Sequence, residues 1–241
     1  MPPSSHPLGF LLLHGGGMDT WVWEKLVPHL ALPAHAVPRL PHDATPDDVT
    51  VADCARHIWD EADRAGFTRV IMVAHSIAGI LAPEAAAMQP KRTAHMALVA
   101  ANVPEEGKTS LSVFGPVTRW QMELGVRLTM WGMTPVKPMQ MWMEEHLCND
   151  LSPVDTARVM KDGLNIEPPA FFFEKISRNA LPPVPRSYIK LAQDLVLPPD
   201  VQDDMAANIA AETVTLNAGH MAMMSKPKEL ADILNKIAGA A

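Results

Sequence analysis

The sequence predicts an α/β fold: a mostly parallel sheet of about six strands, flanked by helices and interrupted by a helical insertion. Three observations predict it. Short apolar runs alternate with helix-length stretches over the first hundred residues, the pattern of strands buried on both faces. The alternation stops near Pro104 and resumes near Tyr188. The third apolar run ends in Ala74-His75-Ser76-Ile77-Ala78-Gly79, a serine between small residues at a strand-to-helix turn.

The elements follow in order. Phe10 to Leu13 is a short apolar strand that runs into His14-Gly15-Gly16-Gly17. A helix pattern follows through Trp21, Trp23, Leu26, Val27 and Leu30, and Ala36 to Leu40 reads as the second strand. Val51 to Ala65 reads as a helix with Ala52, Ala55, Ile58, Trp59 and Ala62 on one face, terminated by Gly66. Val70 to Ala74 is the third strand, Ile77 to Met88 an alanine-rich helix that stops before Pro90, and Ala94 to Ala101 the fourth strand. Helix potential without a clear strand fills Pro104 to Pro185. Tyr188 to Ala192 and Thr213 to Leu216 then supply two more strands, with helices near Val201 to Asn208 and Pro227 to Ala238. The expected organisation is a core of residues 1–103 and 186–241, with 104–185 as a cap-like insertion. Its edges carry loop chemistry, Pro104-Glu105-Glu106-Gly107 and Leu181-Pro182-Pro183-Val184-Pro185.

Composition narrows the function. The chain has 241 residues, long enough for one α/β domain with a full core. A net charge of −7 without any basic run argues against nucleic acid, which needs clustered positive charge. Two cysteines, Cys54 and Cys148, make no disulfide framework and suit a reducing compartment. The first residues lack a positive n-region and a long apolar h-region, and no apolar run is long enough to span a bilayer. A cytoplasmic protein is the expectation.

The serine motif is the G-x-S-x-G nucleophile elbow with Ala74 and Ala78 in the glycine slots. The plain alternative is a βα turn whose serine caps a helix. A serine hydroxyl needs a base to take its proton, and the base needs an orienting acid. In elbow enzymes the chain order is serine, acid, histidine. His220 follows the last strand, after Gly219, and Asp194 follows the strand before it. Asp200, Asp203 and Asp204 are nearby, but they fall at a helix start, where acidic residues suit the dipole. Ser76, Asp194 and His220 would then converge at the carboxyl ends of parallel strands.

Attack on a carbonyl puts charge on its oxygen, and an aligned backbone N–H that stabilises it is typically worth about 3 kcal/mol. Ile77, after the serine, would supply one N–H. Gly16 would supply the other, with Gly17 as the neighbouring alternative, because glycine lets backbone approach a substrate. A phosphate-binding loop is the competing reading of this tract. It lacks both the P-loop lysine and the G-x-G-x-x-G spacing.

These pieces, with Trp21-Val22-Trp23 behind the first loop, Tyr188-Ile189 before Asp194, Pro198 and Gln202 after it, and Gly219-His220, resemble the α/β-hydrolase superfamily. The chain is most similar to the small-esterase branch that includes plant methylesterases, hydroxynitrile lyases and bacterial esterase relatives. The resemblance implies a six-stranded core, a helical cap over the site, no cofactor and often a homodimer. Hydroxynitrile lyases of this branch carry threonine directly after the first-loop histidine and lysine directly after the catalytic histidine. Here those places hold Gly15 and Met221, which disfavours lyase chemistry.

His75 and His14 are expected to pack beside the site and to order the first loop, and no zinc signature is present. Three of the six tryptophans and six of the sixteen methionines lie between Trp120 and Met143. They would form an adaptable apolar lining, or else cap core or dimer contact. The expected substrate-contacting set is Gly15, Gly17, His75, Trp120, Met130, Trp131 and Met221. The expected activity is hydrolysis of a small, neutral, mostly apolar ester. The alternatives are a lyase or cofactor-free dioxygenase on the same fold, or a low-turnover ligand receptor.

Overall fold

The computed structural model describes residues 6–38, 41, 44–130, 137–163, 165–181 and 183–241. Among them six strands form one parallel sheet: β1 (His6–Leu13), β2 (Ala34–Ala36), β3 (Phe67–His75), β4 (Thr93–Val99), β5 (Arg186–Leu191) and β6 (Glu212–Leu216). Their spatial order is β2-β1-β3-β4-β5-β6. Every neighbouring pair is parallel, with Leu13 beside Ala74, His75 beside Val99, and Leu191 beside Leu216.

The period-2 alternation of side chains divides the core into two layers. Phe10, Leu12, Ile71, Val73, Val99 and Ile189 face one side and pack with Trp23, Leu26, Leu230 and Leu234. Leu11, Leu13, Val70, Met72, Ala74 and Leu98 face the other and pack with Ile58, Trp59, Ala82 and Met205. Both faces are covered, as a parallel sheet requires.

Helix α1 (Val51–Arg64) lies on the second face and begins with a capping box. Thr50 Oγ1 accepts from Asp53 N–H at 3.1 Å, and Asp53 Oδ2 accepts from Thr50 N–H at 2.9 Å. Gly66, at φ +73°, carries the chain out of it. Helix α2 (Leu81–Met88) packs beside α1. Between β4 and β5 no strand joins the sheet among the described residues. This stretch holds α3 (Pro116–Met130), α4 (Lys137–Leu147), α5 (Pro153–Asp162) and α6 (Ala170–Phe173). Helices α7 (Pro199–Asn208), α8 (Ala222–Ser225) and α9 (Pro227–Ala240) complete the chain. No helix among the described residues is long and apolar enough to cross a membrane.

Three local expectations are corrected. The helix expected over 21–30 is two 3-10 turns, Thr20–Trp23 and Val27–His29. Pro28 explains the break, since its ring and missing N–H disrupt an α-helix interior. The second strand, expected over 36–40, lies at Ala34–Ala36 and stops before Pro38, which has no N–H with which to continue the ladder; residues 39 and 40 lie outside the described residues. The chain after Ser76 makes a 3-10 turn, Ser76–Ile80, before the α-helix starts at Leu81. Close seating accounts for it: a Cβ on Gly79 would lie 2.5 Å from Asn102 O and 2.7 Å from Asn102 N.

Candidate active site

The strand order reverses its winding between β1 and β3, the place where open parallel sheets bind ligands. The two loops that open there carry His14-Gly15-Gly16-Gly17 and Ser76. Ser76 sits at φ +53°, the left-handed region that is costly for a residue with a Cβ. The turn is secured by Ser76 C=O, which accepts from Asn102 N–H at 2.7 Å. Ala74 and Ala78, in the two glycine slots, are fully buried and fit without displacing the elbow. Gly15 has no such latitude, for its Cβ would lie 2.7 Å from His75 Nδ1 and 3.1 Å from Ser76 Cβ.

Ser76, His220 and Asp194 meet although they are far apart in the chain. His220 Nε2 is 3.0 Å from Ser76 Oγ, and His220 Nδ1 is 2.7 Å from Asp194 Oδ2. A carboxylate only accepts, so Nδ1 carries the proton and Nε2 turns its lone pair to the serine hydroxyl. Asp194 Oδ1 accepts from Val196 N–H at 2.8 Å and Leu197 N–H at 2.9 Å. Gln202 fixes the start and end of that acidic loop. Its Nε2 donates to Leu191 O and Leu197 O, and its Oε1 accepts from Leu191 N–H. Asp194, His220 and Gln202 are all essentially buried.

The amides beside the serine are set by the same loops. Gly15 C=O accepts from Met18 N–H at 3.2 Å and from His14 Nδ1 at 2.9 Å. Those bonds fix the peptide plane whose opposite end is the N–H of Gly16. The N–H groups of Gly16 and Ile77 have no partner among the described residues. The two residues are neighbours in space: a Cβ on Gly16 would be 3.7 Å from Ile77 Cγ2. The N–H of Gly17 is already engaged by Glu167 Oε1 at 2.7 Å, so Gly16 rather than Gly17 is available to a ligand.

The remaining expected residues are placed as follows. His75 is buried, donates from Nε2 to His220 O at 2.9 Å, and its ring lies 4.7 Å from that of His220. Met221 is fully buried and packs in the core layer with Trp23 and Leu230. Trp120, on α3, is 64% exposed, so most of its surface meets solvent. The side chain of Met130 and the whole of Trp131 lie outside the described residues. Behind Ile77 and His14 is a cavity of about 30 Å³, bounded also by His57, Phe171 and Glu167.

Comparison with known proteins agrees with this fold. The sequence matches the alpha/beta hydrolase family over residues 10–233. The chain belongs to that family. Among curated proteins, this alpha/beta hydrolase is 28% identical to methylesterase 7 of Arabidopsis thaliana, across 95% of each chain. It is 26% identical to salicylic acid-binding protein 2 of Nicotiana tabacum, across 95% of this chain and 96% of that one. Among solved structures it superposes on an extracellular alpha/beta-hydrolase from a Paenibacillus species with a TM-score of 0.85. That match has 18% identity and covers 96% of this chain and 99% of the other. A pyrethroid hydrolase from Sphingobium faniae gives a TM-score of 0.68 at 22% identity, over 98% of each chain.

Several residues that build the site were not legible in the sequence. Asp150 Oδ2 accepts from Gly219 N–H at 2.6 Å, and Asn149 Nδ2 donates to Gln193 O at 2.8 Å. Both come from the stretch between β4 and β5, and both hold loops that carry the histidine and the acid.

Burial gives this alpha/beta hydrolase a pH limit. Desolvation, reinforced by the neighbouring His220, holds the His75 imidazole well below its ordinary pKa. In the unfolded chain His75 titrates near the ordinary value, about 6.5. Below that pH the unfolded state binds a proton that the folded state refuses, so stability falls as pH falls. The loss approaches about 1.4 kcal/mol per pH unit until the folded-state pKa is reached. His75→Gln, whose Nε2 can still donate to His220 O, is expected to flatten the stability profile between pH 5 and 6.5. Denaturant titrations across that range measure it; superimposable profiles would rule out His75 as the source.

Proposed function

We propose that the protein is a serine carboxylic-ester hydrolase acting on a small, neutral, mostly apolar ester through an acyl-enzyme on Ser76. The observation that carries this reading is the continuous chain Ser76 Oγ, His220, Asp194, with separations of 3.0 and 2.7 Å. His220 Nε2 takes the hydroxyl proton as Ser76 Oγ attacks the ester carbonyl, and Asp194 stabilises the imidazolium. The oxyanion is held by the N–H groups of Gly16 and Ile77. His220 then protonates the departing alkoxide. A water deprotonated by His220 releases the acid and restores the serine.

The relatives support the class of substrate, since several are named methylesterases and match along 95% of this chain. Residues 104–185 act as a cap over a core of 1–103 and 186–241, a division supported by the bonds from Asp150 and Glu167 to the site loops. Lyase chemistry finds no support at residue 221. A leaving cyanide needs a cation there, and Met221 is an uncharged thioether packed in the core.

Incubation with an alkyl p-nitrophenyl phosphonate tests the reading. One equivalent of p-nitrophenol should be released as Ser76 Oγ bonds to phosphorus, with the adduct mapped to the Ser76 peptide by mass spectrometry. Hydrolysis of p-nitrophenyl acetate should stop in proportion. An adduct elsewhere, or undiminished hydrolysis in the labelled protein, would overturn the assignment.

A further inference from the structure

The geometry points to Asn165 and Glu167 as positioning residues for the oxyanion loop, so that the insertion is part of the catalytic apparatus and not only a cover. This rests on the proposed esterase reading. Gly16 has no side chain, and its backbone is free to turn unless its neighbours are held. One side is held within the loop, by the bonds to Gly15 C=O described above. The other side is held from the insertion. Gly17 N–H donates to Glu167 Oε1 at 2.7 Å. Gly17 C=O accepts from Asn165 N–H at 3.1 Å and from Asn165 Nδ2 at 2.9 Å. The two peptide planes after Gly16 are therefore both fixed by residues about 150 positions away in sequence.

The fit is close as well as polar. Gly17 is at φ +74°, and a Cβ on it would lie 2.4 Å from Gly163 O. The helix that leads into this segment is itself tied to the chain just after the oxyanion loop. Lys25 Nζ bonds both carboxylate oxygens of Asp155 at 2.7 Å. Arg158 pairs with Glu24 through two bonds, at 2.7 and 3.0 Å, and lies over the Trp21 ring at 4.7 Å. The insertion and the first loop thus share a joint whose innermost contact is one residue from a proposed oxyanion donor. Transition-state stabilisation by a backbone N–H depends on its aim. A looser joint should cost turnover rather than substrate binding.

Three variants test this with p-nitrophenyl acetate as substrate and a trifluoromethyl ketone as probe. The ketone carbon accepts Ser76 Oγ and its oxygen takes the oxyanion position, while His220 keeps the serine proton. Glu167→Leu removes the acceptor for Gly17 N–H and is expected to lower kcat by about 10-fold or more. Its KM should stay within about twofold, and its affinity for the ketone should fall in step with kcat. Glu167→Gln keeps an acceptor oxygen and should stay within about threefold of the natural protein on all three measures. Asn165→Ala removes one of the two bonds to Gly17 C=O on an exposed residue. It should show a smaller loss of the same kind, and it stands in should Glu167→Leu not fold.

Unchanged kcat and ketone affinity in both Glu167→Leu and Asn165→Ala, with only a lower melting temperature, would reduce the joint to a structural anchor and overturn the proposal. So would a rise in KM alone, or a Glu167→Gln variant as impaired as Glu167→Leu. If the natural protein neither hydrolyses the ester nor binds the ketone, the esterase reading itself has failed, which is a different result from an active enzyme indifferent to these residues.

Discussion

Ser76→Ala is expected to lower the turnover of p-nitrophenyl acetate by roughly 10⁴- to 10⁶-fold while leaving the fold intact. The serine supplies the only proposed covalent step, so nothing else in the site can replace it. Alanine keeps the Cβ, and therefore the same conformational demand at φ +53°. The bond from Asn102 N–H to the residue 76 carbonyl involves only main chain and survives. The lost hydroxyl leaves His220 Nε2 without its protein partner, but residue 76 is not fully buried and water can reach that lone pair. The melting temperature should therefore change little. The residual rate should come from the oxyanion amides and from binding alone. Steady-state rates beside a thermal melt decide the matter. A variant that keeps more than a few per cent of the activity would remove Ser76 from the mechanism.

Much of this site could be read before any coordinate was known, for a physical reason. An elbow is a local object: a buried strand, a sharp turn with small neighbours and a helix all leave marks within a dozen residues. Val70 to Ala74 and Ser76 carry those marks, and β3 ends at His75. His220 and Asp194 were legible because each follows an apolar strand in the order such chains use. Errors arose where proline interrupts an apolar run. Pro28 turned an expected helix into two 3-10 turns, and Pro38 shortened an expected strand. What could not be read was contact across the chain. Asp150 meets Gly219 over 69 positions and Glu167 meets Gly17 over 150. No periodicity reports on such pairs. A lone Asp or Glu in a helical stretch looks the same in sequence whether it faces solvent or an amide. The aromatic and methionine-rich stretch is legible only as a choice between a lining and cap or dimer contact, and the Met130 side chain and Trp131 lie outside the described residues. Composition does not choose between them, because an apolar side chain suits either place; Trp120 is largely exposed to solvent.

Asp194→Asn should be nearly as damaging as loss of the acid altogether, although the two side chains have almost the same shape. The reason lies in the unequal duties of the two carboxylate oxygens. Oδ1 accepts from two main-chain donors, Val196 N–H and Leu197 N–H, at 2.8 and 2.9 Å. An asparagine amide must put its single oxygen there, because an NH₂ group would face two donors. Its Nδ2 is then turned to His220 Nδ1, which must accept and so cannot carry the proton. The neutral ring is forced into the other tautomer, with hydrogen on Nε2 aimed at Ser76 Oγ. A protonated Nε2 cannot remove the serine proton. The acid loop, held independently by Gln202, should keep its shape, so the protein should fold normally. The expected loss in kcat is about 10⁴-fold with KM little changed. Asp194→Ala should show a loss of the same order together with lower stability, because the two amides at 196 and 197 lose their acceptor in a buried place. Kinetics of both variants, with thermal melts, separate the two effects. An Asp194→Asn enzyme within about tenfold of the natural rate would mean that His220 is oriented by something other than this carboxylate.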